Sequence, residues 1–145
     1  MKVKSLFFVL IIALFSVNCS KNCSENATPP KASIFIELVD ATTNENLFTN
    51  LTFTQGDIVI KDLEDEAVNF SFVTKDNLNL IQIFPATDVA LNNNILLYLG
   101  TSETITMQYN VEVVQTECYT QKKIIDLVTP DYSTTVENQI YTIKI

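Results

Sequence analysis

From Thr104 to Val113 the chain alternates strictly: Ile105, Met107, Tyr109, Val111 and Val113 are apolar, and Thr104, Thr106, Gln108, Asn110 and Glu112 between them are polar. Successive side chains of an extended chain point to opposite faces, so the segment predicts an antiparallel strand with one buried and one wet face. Shorter alternations at Ile34-Ile36-Leu38, Leu51-Phe53, Ile58-Ile60, Val68-Phe70-Phe72 and Tyr141-Ile143-Ile145 predict further strands. Leu78 to Phe84 and Ile95 to Leu99 are apolar on both faces, the pattern of strands covered on both sides, and Ile124-Ile125 with Leu127-Val128 predict one more.

Polar clusters at Asp40 to Asn46, Gln55-Gly56, Asp62 to Glu66, Lys75-Asp76-Asn77, Asn92 to Asn94, Thr101 to Glu103 and Pro130-Asp131 separate these runs. With Gly56 and Gly100 the only glycines, Asn must take most turn positions that need positive φ. Pro85 should end the strand before it and open a single helical turn from Ala86 to Leu91. Eight or nine short, uneven strands without an amphipathic helix predict an all-β fold, a single antiparallel sandwich of immunoglobulin-like or transthyretin-like form rather than a regular barrel.

The N-terminus breaks this pattern. Lys2 and Lys4 precede an unbroken apolar run from Leu6 to Phe15, which Ser16, Asn18, Ser20 and Lys21 then close. A positive start before a short apolar core is what a secretory signal needs, and the run falls short of the roughly 20 residues that span a bilayer. Cys19 follows at once. In this the chain resembles a bacterial lipoprotein precursor, whose lipid goes onto the cysteine just after the apolar core and whose signal is cut before it. The family's motif prefers Leu, a small residue or Val, then Gly, Ala or Ser, then Cys; here the positions hold Ser16, Val17, Asn18 and Cys19, departing at Ser16 and Asn18. The resemblance covers the N-terminus alone and implies lipidation at Cys19. The expected organisation is a signal peptide over 1–18, a lipid-attachment cysteine and polar tether over 19–31, and a β-sandwich over 32–145.

Composition then removes chemistry. There is no His, Arg or Trp. Without imidazole the chain lacks the usual general base and the usual transition-metal ligand. From Cys19 onward seven lysines face seventeen carboxylates, a side-chain charge of −10. Nucleic acid is therefore an unexpected partner, since phosphate binding draws on clustered Lys and Arg. Membrane attachment must come from the lipid.

An exported setting permits Cys23 and Cys118 to pair once Cys19 carries lipid. Asp62-Leu63-Glu64-Asp65-Glu66 lacks the central glycine and alternating ligands of a calcium loop, so a solvated acidic hairpin tip is expected there. Asp57, Asp76, Asp88 and Asp126 fall near strand ends, and nothing selects two of them as a catalytic pair. Tyr98, Tyr109, Tyr119, Tyr132 and Tyr141 are the available aromatic platforms; Tyr109 and Tyr141 belong to apolar faces, and Tyr119 and Tyr132 lie near loops within reach of a ligand, although an isolated exposed tyrosine does not by itself make a site. The Asn-X-Ser/Thr triplets at Asn26, Asn50 and Asn69 are incidental in a bacterial lipoprotein. The expectation is a non-catalytic cell-envelope lipoprotein without cofactor or metal. It would be membrane-anchored by lipid and would serve as a structural or protein-interaction module, or alternatively bind a ligand such as a glycan.

Overall fold

The computed structural model describes residues 28–75 and 77–145, almost all of them in strands and turns. Nine strands follow one another: β1 (Ile34–Val39), β2 (Ile58–Asp62), β3 (Asn69–Lys75), β4 (Leu78–Phe84), β5 (Asn93–Leu99), β6 (Glu103–Gln115), β7 (Thr120–Val128), β8 (Ser133–Glu137) and β9 (Ile140–Lys144). They form a five-stranded sheet in the order β3-β4-β1-β9-β8 and a four-stranded sheet in the order β2-β5-β6-β7. Every strand pair is antiparallel except β1 with β9, which run parallel and bring the last strand of the chain beside the first. The two inner faces share one core, with Ile36, Ile81 and Ile143 from one sheet and Ile60, Leu97 and Met107 from the other almost entirely buried. The fold is an all-β sandwich.

The alternation in β6 works as read as far as Val111. Ile105 and Met107 are 0% exposed, Tyr109 3% and Val111 7%, but Val113 is 63% exposed. The reason is length. The last β5 partner of β6 is Asn93, opposite Tyr109, and beyond it β6 has only β7 as a strand neighbour. The final residues of β6 and the first of β7 therefore overhang as a two-stranded ribbon.

In β7 a register shift between Gln108 and Asn110 marks a bulge, and Asp126 takes φ 53° beside it. An extra residue reverses the inside–outside alternation, so Ile124 packs on the core and Leu127, three positions on, is buried as well. That accounts for an apolar run with no clean period. In β4 both faces are covered: Ile81 and Leu80 are each 0% exposed although they point to opposite sides.

The fold departs from the sequence reading at four points. Leu51-Phe53 is not a strand; it lies in a long loop over 40–57, with Leu51 at φ 64° and a single 3₁₀ turn at Gln55–Asp57. The loop does bury Leu47 and Phe48, and the Phe48 ring meets Phe72 edge-on at 4.9 Å. Ala86 to Leu91 forms no helical turn but an irregular crossing between the sheets, although β4 does stop at Phe84, just before Pro85. Finally, β8 had no sequence signal: Ser133, Thr135 and Glu137 are exposed edge residues without an apolar face. The β1–β9 pairing also departs from a purely antiparallel sandwich.

Asparagine supplies half of the non-glycine positive-φ positions, namely Asn44, Asn77, Asn92 and Asn138. Gly100 is the glycine that needs the conformation, with φ 59°.

Candidate functional site

Strand direction collects the elements around the chain entry at one end of the sandwich. Ile34 lies opposite Ile83, Asp62 opposite Ile95 and Gln115 opposite Thr120. The start of β1, the end of β2, the crossing from β4 to β5 and the tip of the β6–β7 ribbon consequently share that end. Side chains and backbone stitch it together. The Tyr109 hydroxyl donates to the Ala86 carbonyl at 2.8 Å, Val111 N donates to Ala90 O at 2.7 Å, and Lys122 Nζ stands 3.4 Å from Asp88 Oδ1.

A groove of about 510 Å³ opens beside the entry segment, between Pro30–Ser33, the first half of β7 and the β8–β9 hairpin. Lys31, Lys122 and Lys123 all border it, but Lys122 and Lys123 are successive strand residues and point to opposite faces, so the groove is no convergent anion site. A second groove, about 230 Å³, runs between the acidic loop and the 85–92 crossing and is bordered by Leu63, Val68, Val89 and Tyr109.

Large apolar side chains are exposed at this end. Leu63 is 67% exposed, Val89 60%, Leu91 62%, Val113 63% and Val136 61%. The acidic loop lies among them. Asp62 Oδ1 accepts hydrogen bonds from Glu64 N and Glu66 N at 2.9 Å each, and Asp65 pairs with Lys61 at 2.6 Å. Glu66 O and Val68 N bond back to Asp62 N and Ile60 O, which covers the free edge of β2. The expected solvated acidic turn is present, although it joins strands of different sheets.

Of the four carboxylates singled out in the sequence, the three that are described stand apart. Asp57 ends the 3₁₀ turn at the far end of the sandwich, Asp126 sits in the β7 bulge with Asn110 Nδ2 at 3.2 Å, and Asp88 is at the entry end. Asp76 lies outside the described residues. Hydrogen bonds from Thr54 hold Asp57 below the usual carboxylate range, its backbone N–H first and its hydroxyl second. Among the described residues no group of three or more His, Cys, Asp or Glu could hold a metal ion.

The tyrosines divide unevenly. Burial pushes the Tyr109 phenol up to about 12 and raises that of Tyr141. Tyr132 is not a free platform: its ring packs against the core and its hydroxyl donates to Glu103, which together with burial moves it up to about 12. Tyr119 is held in the ribbon turn, where its N–H bonds the Thr116 hydroxyl at 3.0 Å. Tyr98 stands half-buried on the outer face of the four-stranded sheet, opposite Thr104 and Val59.

Cys118 is in the same turn, at the tip of the overhanging ribbon, and is disulfide-bonded. Cys19 and Cys23 lie outside the described residues, as do the signal peptide and most of the tether. What the sequence could not indicate was the gathering of Leu63, Val89, Leu91, Val113 and Val136 at one end. They come from four stretches far apart along the chain and share no period. No family model, curated protein or solved structure matches this chain.

Proposed function

We propose that this is an exported cell-envelope lipoprotein, anchored to a bacterial membrane through Cys19, whose sandwich is a non-catalytic structural or protein-interaction module. The apolar N-terminal run closing just before Cys19 supports the anchor. The observation that carries the architecture is that the chain enters the sandwich at the end where Cys118 caps the β6–β7 ribbon. A sulfur in a lipid thioether cannot also form a disulfide, so Cys19 carrying lipid assigns Cys23 as the partner of Cys118. The bridge then staples the tether to the domain. The scattered carboxylates favour a module that binds or braces over one that catalyses.

Labelled fatty acid fed to expressing cells tests the anchor: wild type should incorporate label and Cys19→Ala should not. Mass spectrometry of non-reduced protein should yield a linked peptide of Cys23 and Cys118. A peptide linking Cys19 to Cys118 would overturn the assignment of both cysteines. Reducing the bridge should cost about 2 to 5 kcal/mol of stability.

A glycan-binding reading draws on Tyr98, half-buried on the outer face of the four-stranded sheet between Val59 and Thr104. Retention of the protein on insoluble cell-wall glycan, lost in Tyr98→Ala, would favour it over the bracing role.

A further inference from the structure

We propose that the entry end of the sandwich lies against the lipid headgroup layer, with Leu63, Val89, Leu91 and Val113 as its contact surface. The inference rests on the lipid-anchored reading above and adds to it a fixed orientation of the domain.

Three observations lead there. Most of the large apolar side chains that remain exposed belong to this end: Leu63, Val89, Leu91, Val113 and Val136, against Leu51, Val59 and Val128 elsewhere. They come from separate elements, the acidic loop, the 85–92 crossing, the overhanging ribbon and β8, so no single amphipathic strand explains them. Exposed apolar side chains gathered from several elements at one end of a small domain point to a contact face. Second, the 27 residues outside the described N-terminus join the domain at this end, because Pro30 and Lys31 border the groove beside β7.

Third, the staple limits the reach. With Cys23 bonded to Cys118, four residue steps separate the lipidated Cys19 from the ribbon tip, about 14 Å at full extension. The headgroup layer is itself several ångströms deep on each side of the hydrocarbon. The tip cannot rise far above it. The lipid holds the protein in place, and the apolar residues, kept at high local concentration by the tether, determine which end faces down.

Charge selects the kind of surface. Asp62, Glu64, Asp65, Glu66, Asp88 and Glu117 stand at the same end, against Lys31, Lys61, Lys122 and Lys123. A strongly anionic bilayer is disfavoured, and a zwitterionic headgroup layer suits an apolar contact surface rimmed by acids.

The chain has no tryptophan, so one introduced Trp reports its own surroundings. Full-length Leu91→Trp at the entry end and Thr101→Trp in the far β5–β6 turn would be purified from the envelope with their N-terminal modification. Each is reconstituted into phosphatidylcholine vesicles brominated along the acyl chain. Both should float with the vesicles. Leu91→Trp should lose about half its emission, since an interfacial residue sits at the headgroup–acyl boundary, and Thr101→Trp should lose none. Adding Val89→Asp to Leu91→Trp should restore most of the emission.

Flotation with equal quenching of the two reporters, or with none, overturns the orientation and leaves the anchor standing. Failure of both to float overturns the anchor and the orientation with it. Unquenched, blue-shifted Leu91→Trp emission from a sedimenting dimer would give the surface to a second copy. Quenching that grows when phosphatidylglycerol is added would assign the contact to the lysines, against the proposal.

Discussion

At the end away from the chain entry, residues 40–57 fold back over the core and leave Leu47 and Phe48 only 4% exposed, whereas at the entry end Leu63, Val89 and Leu91 are 60 to 67% exposed. The far end is closed by short polar side chains that bond the backbone beside them. Asp40 Oδ1 accepts from Thr42 N and Thr43 N at 2.8 and 2.7 Å, and Asn50 Oδ1 accepts from Thr52 N at 3.1 Å. Asn46 does most. Its Oδ1 accepts from Phe48 N and Thr49 N, and its Nδ2 donates to Asn79 O at 3.0 Å, tying the loop to the start of β4. A loop whose polar groups are satisfied internally can bring apolar side chains inward. At the entry end the crossing over 85–92 is bonded mainly through its backbone to β6, and from Asp88 to Asn92 its side chains remain outside. One end is plugged over Leu47 and Phe48, with Leu51 alone of its large apolar side chains left in solvent, and the other leaves several of them outside.

The largest effect should come from the core that joins the two ends. Met107→Asp places a charge at a site that is 0% exposed and should cost about 4 kcal/mol or more, while Gln108→Asp on the wet face should stay within about half a kcal/mol. In chemical denaturation, reporters at both ends should lose structure at one midpoint. Separate midpoints would mean that the entry end melts on its own.

Next in size, Asn46→Ala should cost about 2 to 4 kcal/mol, because it removes several partly buried hydrogen bonds at once. Replacing exposed Leu91 by Ser at the other end should stay within about half a kcal/mol. Equal losses in the two variants would erase the contrast between plug and contact surface.

A tyrosine at each end has its pKa pushed up to about 12, for different reasons. Tyr109 at the entry end is raised by burial, Tyr132 at the far end first by its hydrogen bond to Glu103. A raised phenol pKa stabilises the folded state fully below the ordinary 10.0, and the contribution is lost as pH climbs from there toward about 12. Glu103→Gln should bring the Tyr132 titration back toward 10.0 and leave Tyr109 where it is, read by phenolate absorbance. Tyr132→Phe should cost about 1 to 2 kcal/mol at neutral pH. Both tyrosines moving together in Glu103→Gln would mean that the ends are electrostatically linked.

The smallest effects concern backbone strain, which both ends carry. Leu51 at the far end has φ 64°, and Gln139 in the two-residue β8–β9 turn has φ 67° after Asn138 at 49°. That turn wants Asn-Gly, and here Gln stands in the second place. Gln139→Gly and Leu51→Gly should each gain about 0.5 to 1 kcal/mol, the left-handed strain relieved less the added chain entropy. A thermal melt that shows no gain at either site would mean that the surrounding contacts of Leu51 and Gln139 offset their strain.

Much of the fold was legible along the chain. Alternation located β1, β2, β3, β6 and β9, and two-sided apolar runs located β4 and β5 within two residues. These signals are local, because burial of one face writes a period of two directly into the sequence. Leu51-Phe53 misled because Phe53 is apolar for a different reason: it packs on the core from a loop. β8 was silent because an edge strand with neither face deeply covered needs no apolar period.

By itself, then, the sequence determined that this is a β protein, where most strands lie, that Met107 faces inward, and that Pro85 ends β4. It also put a positive start and a short apolar run ahead of Cys19 and withheld the imidazole that common catalytic and metal sites require. Tertiary structure alone decided that β9 pairs in parallel with β1, that β6 outruns its neighbour and leaves Val113 in solvent, and that most of the exposed large apolar side chains lie at the end where the chain enters. The division has one physical cause. Which face of a strand is buried depends on residues two positions apart, but which strands adjoin, and what the loops of one end jointly present, depends on residues many tens of positions apart, which leave no periodic trace in the chain.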